Sequence, residues 1–123
     1  MNPSQKKILI VDDEEDVRLF LADFIMERDY RVDTAGDGEE AVAKFEKGKY
    51  DLVFLDIMMP GMDGIACLEK IKKLSPSTPV IMITALKDEG RMNAAKKLGA
   101  AQYVVKPFSL NYLETELLKL LEN

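Results

Sequence analysis

The sequence predicts an α/β protein, a doubly wound five-stranded parallel sheet covered by five helices. Short apolar runs alternate five times with segments whose apolar residues recur at helical spacing. The runs are continuous rather than alternating, as strands buried on both faces read. Polar side chains also stand where these runs end, in ILIV-Asp12-Asp13, LVFL-Asp56, VIMI-Thr84 and YVV-Lys106. In parallel strands those residues gather at one edge of one sheet, where open α/β folds bind ligands.

Each element has its own signal. Lys7–Val11 is an unbroken apolar strand, followed by a helix from about Asp16 to Arg28 that carries Val17, Leu21, Phe24 and Ile25 on one face. Arg31–Ala35 alternates polar and apolar residues, as an edge or half-buried strand does. Asp37-Gly38-Glu39-Glu40 reads as an N-cap with an acidic third helical position. Ala41, Val42 and Phe45 form the core face of that second helix, and Gly48 marks its end.

Leu52–Leu55 is the third strand. The loop IMMPGMDG follows, with a strong turn signal at Pro60-Gly61, where proline presets one backbone angle and glycine supplies a positive one. The third helix places Ile65, Cys67, Leu68 and Ile71 inward. Pro79–Ile83 is the fourth strand, and the helix from about Asp88 to Leu98 is rich in alanine and lysine with a weak apolar stripe. Gln102–Val105 is the fifth strand. Leu110, Leu113, Leu117 and Leu120 or Leu121 mark an amphipathic last helix. Right-handed crossovers limit the topology. The strand order 2-1-3-4-5 puts the switch point between strands 1 and 3, the two that end in aspartates.

With 123 residues, 47% apolar and 32% charged, the chain reads as one globular domain with its own core. That domain spans residues 1–123, with residues 1–6 as a lead-in. The apolar runs are far too short to cross a bilayer, and the N-terminus lacks a signal-peptide apolar region. A cytoplasmic location and no membrane partner are expected. The one cysteine, Cys67, makes no internal disulfide and reads as a buried helix-face residue. A net charge of −5 argues against direct nucleic-acid binding by this domain. Histidine is absent, which excludes Ser-His-Asp and Cys-His nucleophile arrangements and the usual zinc sites.

The strand-end residues suit one chemistry. Two carboxylates about 5 Å apart repel by roughly 3 kcal/mol at an effective dielectric of 20. A hard divalent cation compensates for that, and Mg²⁺ bridges carboxylates to phosphate oxygens. Lys106 pairs with a carboxylate or a phosphoryl oxygen, and the Thr84 hydroxyl donates one hydrogen bond to the same oxygen. Asp12 and Asp13 lie in the acidic stretch Asp12–Asp16, which repels a bare phosphoryl group. Asp56 stands alone at the central strand end and is the better carboxylate nucleophile.

The motifs Val11–Asp13, Leu55–Gly64 (LD-x-x-MPGMDG), Ile83–Ala85 (ITA) and Lys106–Phe108 (KPF) stand in order at family-like spacing. On these residues the chain resembles the receiver domain of bacterial two-component response regulators, a flavodoxin-like fold, from Lys7 to the last helix. The resemblance implies that Asp56 is the phospho-acceptor and that Asp13 and Asp56 are direct Mg²⁺ ligands, with Mn²⁺ as a substitute. Asp12 would act mostly through a metal-bound water, and the Met58 carbonyl would be a further ligand. It also implies a cis peptide before Pro107, phosphoryl sensing by Thr84 and Lys106, and a switch formed by Thr84 and Tyr103.

The function so implied is a phosphorylation-dependent signalling switch that assists its own phosphorylation and dephosphorylation and is not a turnover enzyme. The donor is a phosphohistidine on a histidine kinase or histidine phosphotransfer protein, docking on the first helix and the loops around the site. The output is a downstream target protein or a further output domain, reached through the face of helix 4, strand 5 and helix 5. The domain is expected as a monomer or a phosphorylation-dependent dimer. Apolar Met58 and Leu86 flank the path of the hydrolytic water, which predicts slow loss of phosphate. A constitutive interaction module is the competing reading, against which the complete acid, threonine and lysine set argues. A flavin-nucleotide carrier is disfavoured because DDEED after strand 1 repels a phosphate. An aspartate-nucleophile phosphatase does not fit the order of the acids.

Overall fold

The computed structural model describes residues 5–85 and 87–122. Leu86 and most of the expected lead-in lie outside the described residues. Chain order is β1 (Lys7–Val11), α1 (Glu15–Met26), β2 (Arg31–Ala35), α2 (Gly38–Lys47), β3 (Leu52–Leu55), α3 (Gly64–Leu74), β4 (Val80–Thr84), α4 (Glu89–Lys97), β5 (Gln102–Val105) and α5 (Leu110–Leu121). All pairings are parallel and the sheet order is β2-β1-β3-β4-β5. No helix among the described residues is long and apolar enough to cross a membrane.

Because strand side chains alternate in direction, each central strand feeds two cores. Leu9, Val11, Val53, Leu55, Val80 and Met82 join Ala41, Phe45, Cys67, Leu68, Ile71 and Ala95 of α2, α3 and α4. Ile8, Ile10, Leu52, Phe54, Ile81 and Ile83 pack with Leu21, Phe24 and Ile25 of α1 and Leu113, Leu117 and Leu121 of α5. Continuous apolar strands are therefore required, since neither face is open to water.

Four helices begin with a side-chain cap. Asp37, Asp63, Asp88 and Ser109 accept from the amides of Glu40, Ala66, Arg91 and Tyr112, satisfying first-turn donors that have no partner within the helix. At α2 the acidic third position reaches back as well, with Glu40 accepting from the Gly36 amide at 2.9 Å. Helix α1 differs. Its N-cap residue, Glu14, makes no side-chain cap, so the Asp12-Asp13 doublet does not cap this helix. The helix stops at Met26, short of the expected Arg28, because Arg28 and Asp29 turn back to the carbonyls of Ile25 and Met26, three residues earlier. Strand β4 is shifted by one from Pro79–Ile83, and Leu110 of α5 is exposed while Leu113, Leu117 and Leu121 carry its buried stripe.

Candidate functional site

Val11 of β1 lies opposite Leu55 of β3, so both strands end at the same level. The Asp12 amide then donates to Ala35 O at 3.1 Å and the Asp56 amide to Val11 O at 2.9 Å. These bonds carry the sheet one residue further and fix where each carboxylate leaves it. Asp12 and Asp56 are 3% and 4% exposed, while Asp13 faces solvent. One carboxylate oxygen from each of Asp12, Asp13 and Asp56 lies within 4.8 Å of the others.

Lys106 enters from the end of β5. Its Nζ is 2.9 Å from Asp12 Oδ2, 3.5 Å from Asp56 Oδ2 and 3.8 Å from Glu14 Oε1. Asp12 Oδ1 accepts from the Glu14 amide at 2.9 Å, and Asp56 Oδ1 accepts from the Met58 amide at 3.0 Å. Burial raises the Asp56 pKa from 3.8 to about 6; the Met58 amide opposes the rise, Asp12 adds to it and Lys106 opposes it. Burial alone would lower the Lys106 pKa, but the carboxylates of Asp12 and Asp56 outweigh it and hold the ammonium above its usual value. One lysine thus faces several acids. The donors are hard oxygens with charge to spare, which is the set a small divalent cation takes.

Thr84 is fully buried at the end of β4, and its carbonyl accepts from the Lys106 amide at 2.7 Å. The Lys106–Pro107 peptide is cis. Tyr103 lies opposite Met82 and packs against the α2–α3–α4 core, whereas Val104 packs on the other face. Three residues apart along the strand direction, Tyr103 and Lys106 are carried to opposite faces. Burial raises the Tyr103 pKa, and the charges of Asp88 and, to a smaller extent, Asp56 act in the same direction. Cys67 is buried, and burial pushes its thiol up to about 12, the setting of a structural rather than a reactive cysteine.

The loop after Asp56 is held from several sides. Gly61 has a φ of 77°, as the Pro60-Gly61 turn requires. Glu39 at the start of α2 accepts from the Met62 amide at 3.4 Å. Met58 is half exposed, and its Sδ lies 3.8 Å from Arg91 Nη1 on α4. Arg18 on α1 donates from Nη1 to the Asp12 carbonyl at 2.6 Å. Sequence reasoning missed Arg18, Glu39 and Arg91. For Arg18 the available signal was a cation beside an acidic stretch, which is common on solvated helix faces.

Residues 8–118 match the family model described as the response regulator receiver domain. The chain belongs to that family. Its receiver domain is 42% identical over 106 residues to the transcriptional regulatory protein ResD of Bacillus subtilis, covering 86% of this chain and 44% of ResD. It is 44% identical to the probable transcriptional regulator ycf27 of Cyanophora paradoxa, covering 98% of this chain and 50% of that protein. The chain thus spans about half the length of these curated relatives. Among solved structures, the response regulator TrrA of Thermotoga maritima in complex with Mg²⁺ and BeF superposes with a TM-score of 0.86 at 41% identity, covering 95% of this chain and 100% of that one. This is a response regulator receiver domain of the two-component signalling type, from a family of signalling proteins, and the acidic cluster lies within the matched residues.

Proposed function

We propose that this receiver domain is a phosphorylation-dependent switch whose acceptor is Asp56. The observation that carries this reading is the placement of Asp56, a buried carboxylate grouped with Asp12 and Asp13 and 3.5 Å from Lys106. Mg²⁺ would be held by Asp13, Asp56 and the Met58 carbonyl, with Asp12 acting through water and Mn²⁺ able to substitute. Bound there, it would supply positive charge that offsets the acids and the phosphoryl oxygens.

The Asp56 carboxylate oxygen attacks phosphorus, forming an O–P bond as the donor's N–P bond breaks. The electron pair of that bond stays with the imidazole nitrogen, which then takes a proton. Lys106 orients the incoming phosphoryl oxygens, and Thr84 donates to one of them once they arrive. Tyr103 follows Thr84 by repacking on its own face of the sheet, which shifts the population of an existing state. The same site assists hydrolysis of the acyl phosphate and turns over no other substrate.

The donor is a phosphohistidine of a histidine kinase or histidine phosphotransfer protein, a group that these 123 residues, without histidine, do not themselves carry. Leu19 and Phe20 on α1 are 56% and 53% exposed, and a groove of Asp16, Val17, Phe20, Lys106, Pro107 and Phe108 opens beside the site. These apolar positions support donor docking on α1. The output face is α4, β5 and α5 around Tyr103. The relatives' names support a transcriptional output carried by a further domain, and the net charge of −5 supports a domain that does not itself touch DNA. A cytoplasmic location is part of this proposal, as is a domain that is a monomer or a phosphorylation-dependent dimer.

The test is incubation with beryllofluoride or acetyl phosphate, with and without Mg²⁺. The expected result is a Mg²⁺-dependent phosphoryl mass gain from acetyl phosphate, absent in Asp56→Asn. No gain in the wild type would leave the constitutive interaction module as the better reading.

A further inference from the structure

We propose that Arg18 is a positioning residue of the acidic site, its guanidinium setting the Asp12–Asp13 peptide from which both carboxylates project. This inference rests on the Mg²⁺ reading of that site. Strand β1 ends at Val11, and the Asp12 amide is the last group of this segment to join the sheet, through Ala35 O at 3.1 Å. Beyond that bond the chain must present two acids side by side against their mutual repulsion. Arg18 Nη1 reaches back from α1 and donates to the Asp12 carbonyl at 2.6 Å. The bond holds the peptide between the two aspartates without engaging either carboxylate.

The guanidinium lies in a slot that other residues keep open. A Cβ on Gly36, just beyond β2, would fall 3.3 Å from Arg18 Nη1. The Gly36 amide is occupied by Glu40 Oε1 at 2.9 Å, and Glu40 is itself salt-bridged to Lys44 at 3.1 Å. The Gly36 amide and Lys44, with a smaller contribution from Arg18, hold the Glu40 carboxyl below its usual range. Arg18 therefore links the acid loop after β1 to helix α1 by a hydrogen bond and lies against the turn before α2. Helix α1 does not need Arg18 for its own packing, which rests on Leu21, Ala22, Phe24 and Ile25.

Two effects of removing Arg18 oppose each other. Losing the bond frees the Asp12–Asp13 peptide and weakens cation binding; outer-shell partners of this kind are typically worth about 10–100-fold in metal affinity. Losing the positive charge relieves repulsion toward the incoming cation, but that repulsion is screened at a partly exposed side chain. The positional effect wins, at the low end of the range because Arg18 acts through the backbone. Arg18→Lys keeps both the charge and a donor, so it is the variant expected to recover binding.

The experiment is Mg²⁺ titration of the receiver domain followed by amide NMR shifts, alongside thermal melts in EDTA. Arg18→Met is expected to bind Mg²⁺ about 10-fold more weakly, with a metal-free melting temperature close to wild type. Arg18→Lys recovers most of the loss, and Gly36→Ala, which crowds the guanidinium, shows a smaller loss in the same direction. Arg18→Met binding like wild type would overturn this inference alone. So would an affinity loss matched by a fall in metal-free melting temperature, or one that lysine does not restore. A wild type that does not bind Mg²⁺ would overturn the metal reading and this inference together.

Discussion

Gly64 packs directly on the backbone of Asp56: a Cβ at Gly64 would lie 2.2 Å from the Asp56 carbonyl oxygen. That is far inside the closest approach real Cβ atoms make, and the obstacle is backbone rather than a flexible side chain. The first residue of α3 is therefore glycine because the acceptor strand's exit runs against it. Gly64→Ala must push the loop away, and overpacking of this kind typically costs about 1–3 kcal/mol. Thermal melts should show the loss, and beryllofluoride binding should weaken because Asp56 moves with its backbone. A variant as stable and as reactive as wild type would contradict this packing.

Asp56 is a buried carboxylate held near Asp12 with one lysine between them. Without a divalent cation that arrangement opposes folding at neutral pH. Asp56→Asn keeps the size and the acceptor for the Met58 amide but removes the charge. In EDTA the variant should be more stable than wild type, by about 1–3 kcal/mol from relief of a buried charge. It should also lose any stabilisation by Mg²⁺, since that gain follows from binding to the folded state alone. Melts with and without Mg²⁺ measure both, and a less stable variant in EDTA would refute the electrostatic account.

Met58 follows the acceptor by two residues, is half exposed, and its sulfur lies 3.8 Å from Arg91 Nη1. A thioether offers water only a weak acceptor. Met58→Asn places an amide there that can hold the hydrolytic water, and it removes the Arg91 contact. The acyl phosphate should then decay several-fold faster in a phosphate-loss time course. An unchanged decay would show that Met58 does not limit water at the site.

Tyr50 donates from its hydroxyl to Asp33 Oδ2 at 2.6 Å, while its ring stacks on Phe45 with centroids 6.0 Å apart. That hydrogen bond is the largest influence on Asp33, whose pKa lies below its ordinary 3.8, with Lys7 adding to it against burial. A depressed carboxyl pKa stabilises the fold above the unfolded value and loses that contribution as pH falls through the folded one. Tyr50→Phe keeps the stack and should cost about 0.5–1.5 kcal/mol at pH 7. The melting curves of variant and wild type should converge as pH drops below the ordinary carboxyl value. A gap that stays constant down to the acid transition would assign the loss to packing instead.

Much of this architecture is legible one residue at a time. Continuous apolar runs such as Leu52–Leu55 can only be strands buried on both faces, and Asp37, Asp63 and Asp88 mark helix starts because each supplies an acceptor within its own turn. Local chemistry also finds Pro60-Gly61. Boundaries at Met26 and Thr84 are less legible, because a tightened last turn and a neighbouring strand decide them.

For the site, residue order along the chain is enough for the inventory: three aspartates, a threonine and a lysine at strand ends, and no histidine. Those follow from period and order along the chain. Packing sets Lys106 closer to Asp12 than to Asp56 and pins Gly64 against the Asp56 backbone. It alone brought Arg18, Glu39 and Arg91 to the site. These residues lie on helices whose sequence spacing from the acids carries no distance information. Their roles arise when parallel strands and crossover helices bring separate loops to one edge, a consequence of packing that no local pattern encodes.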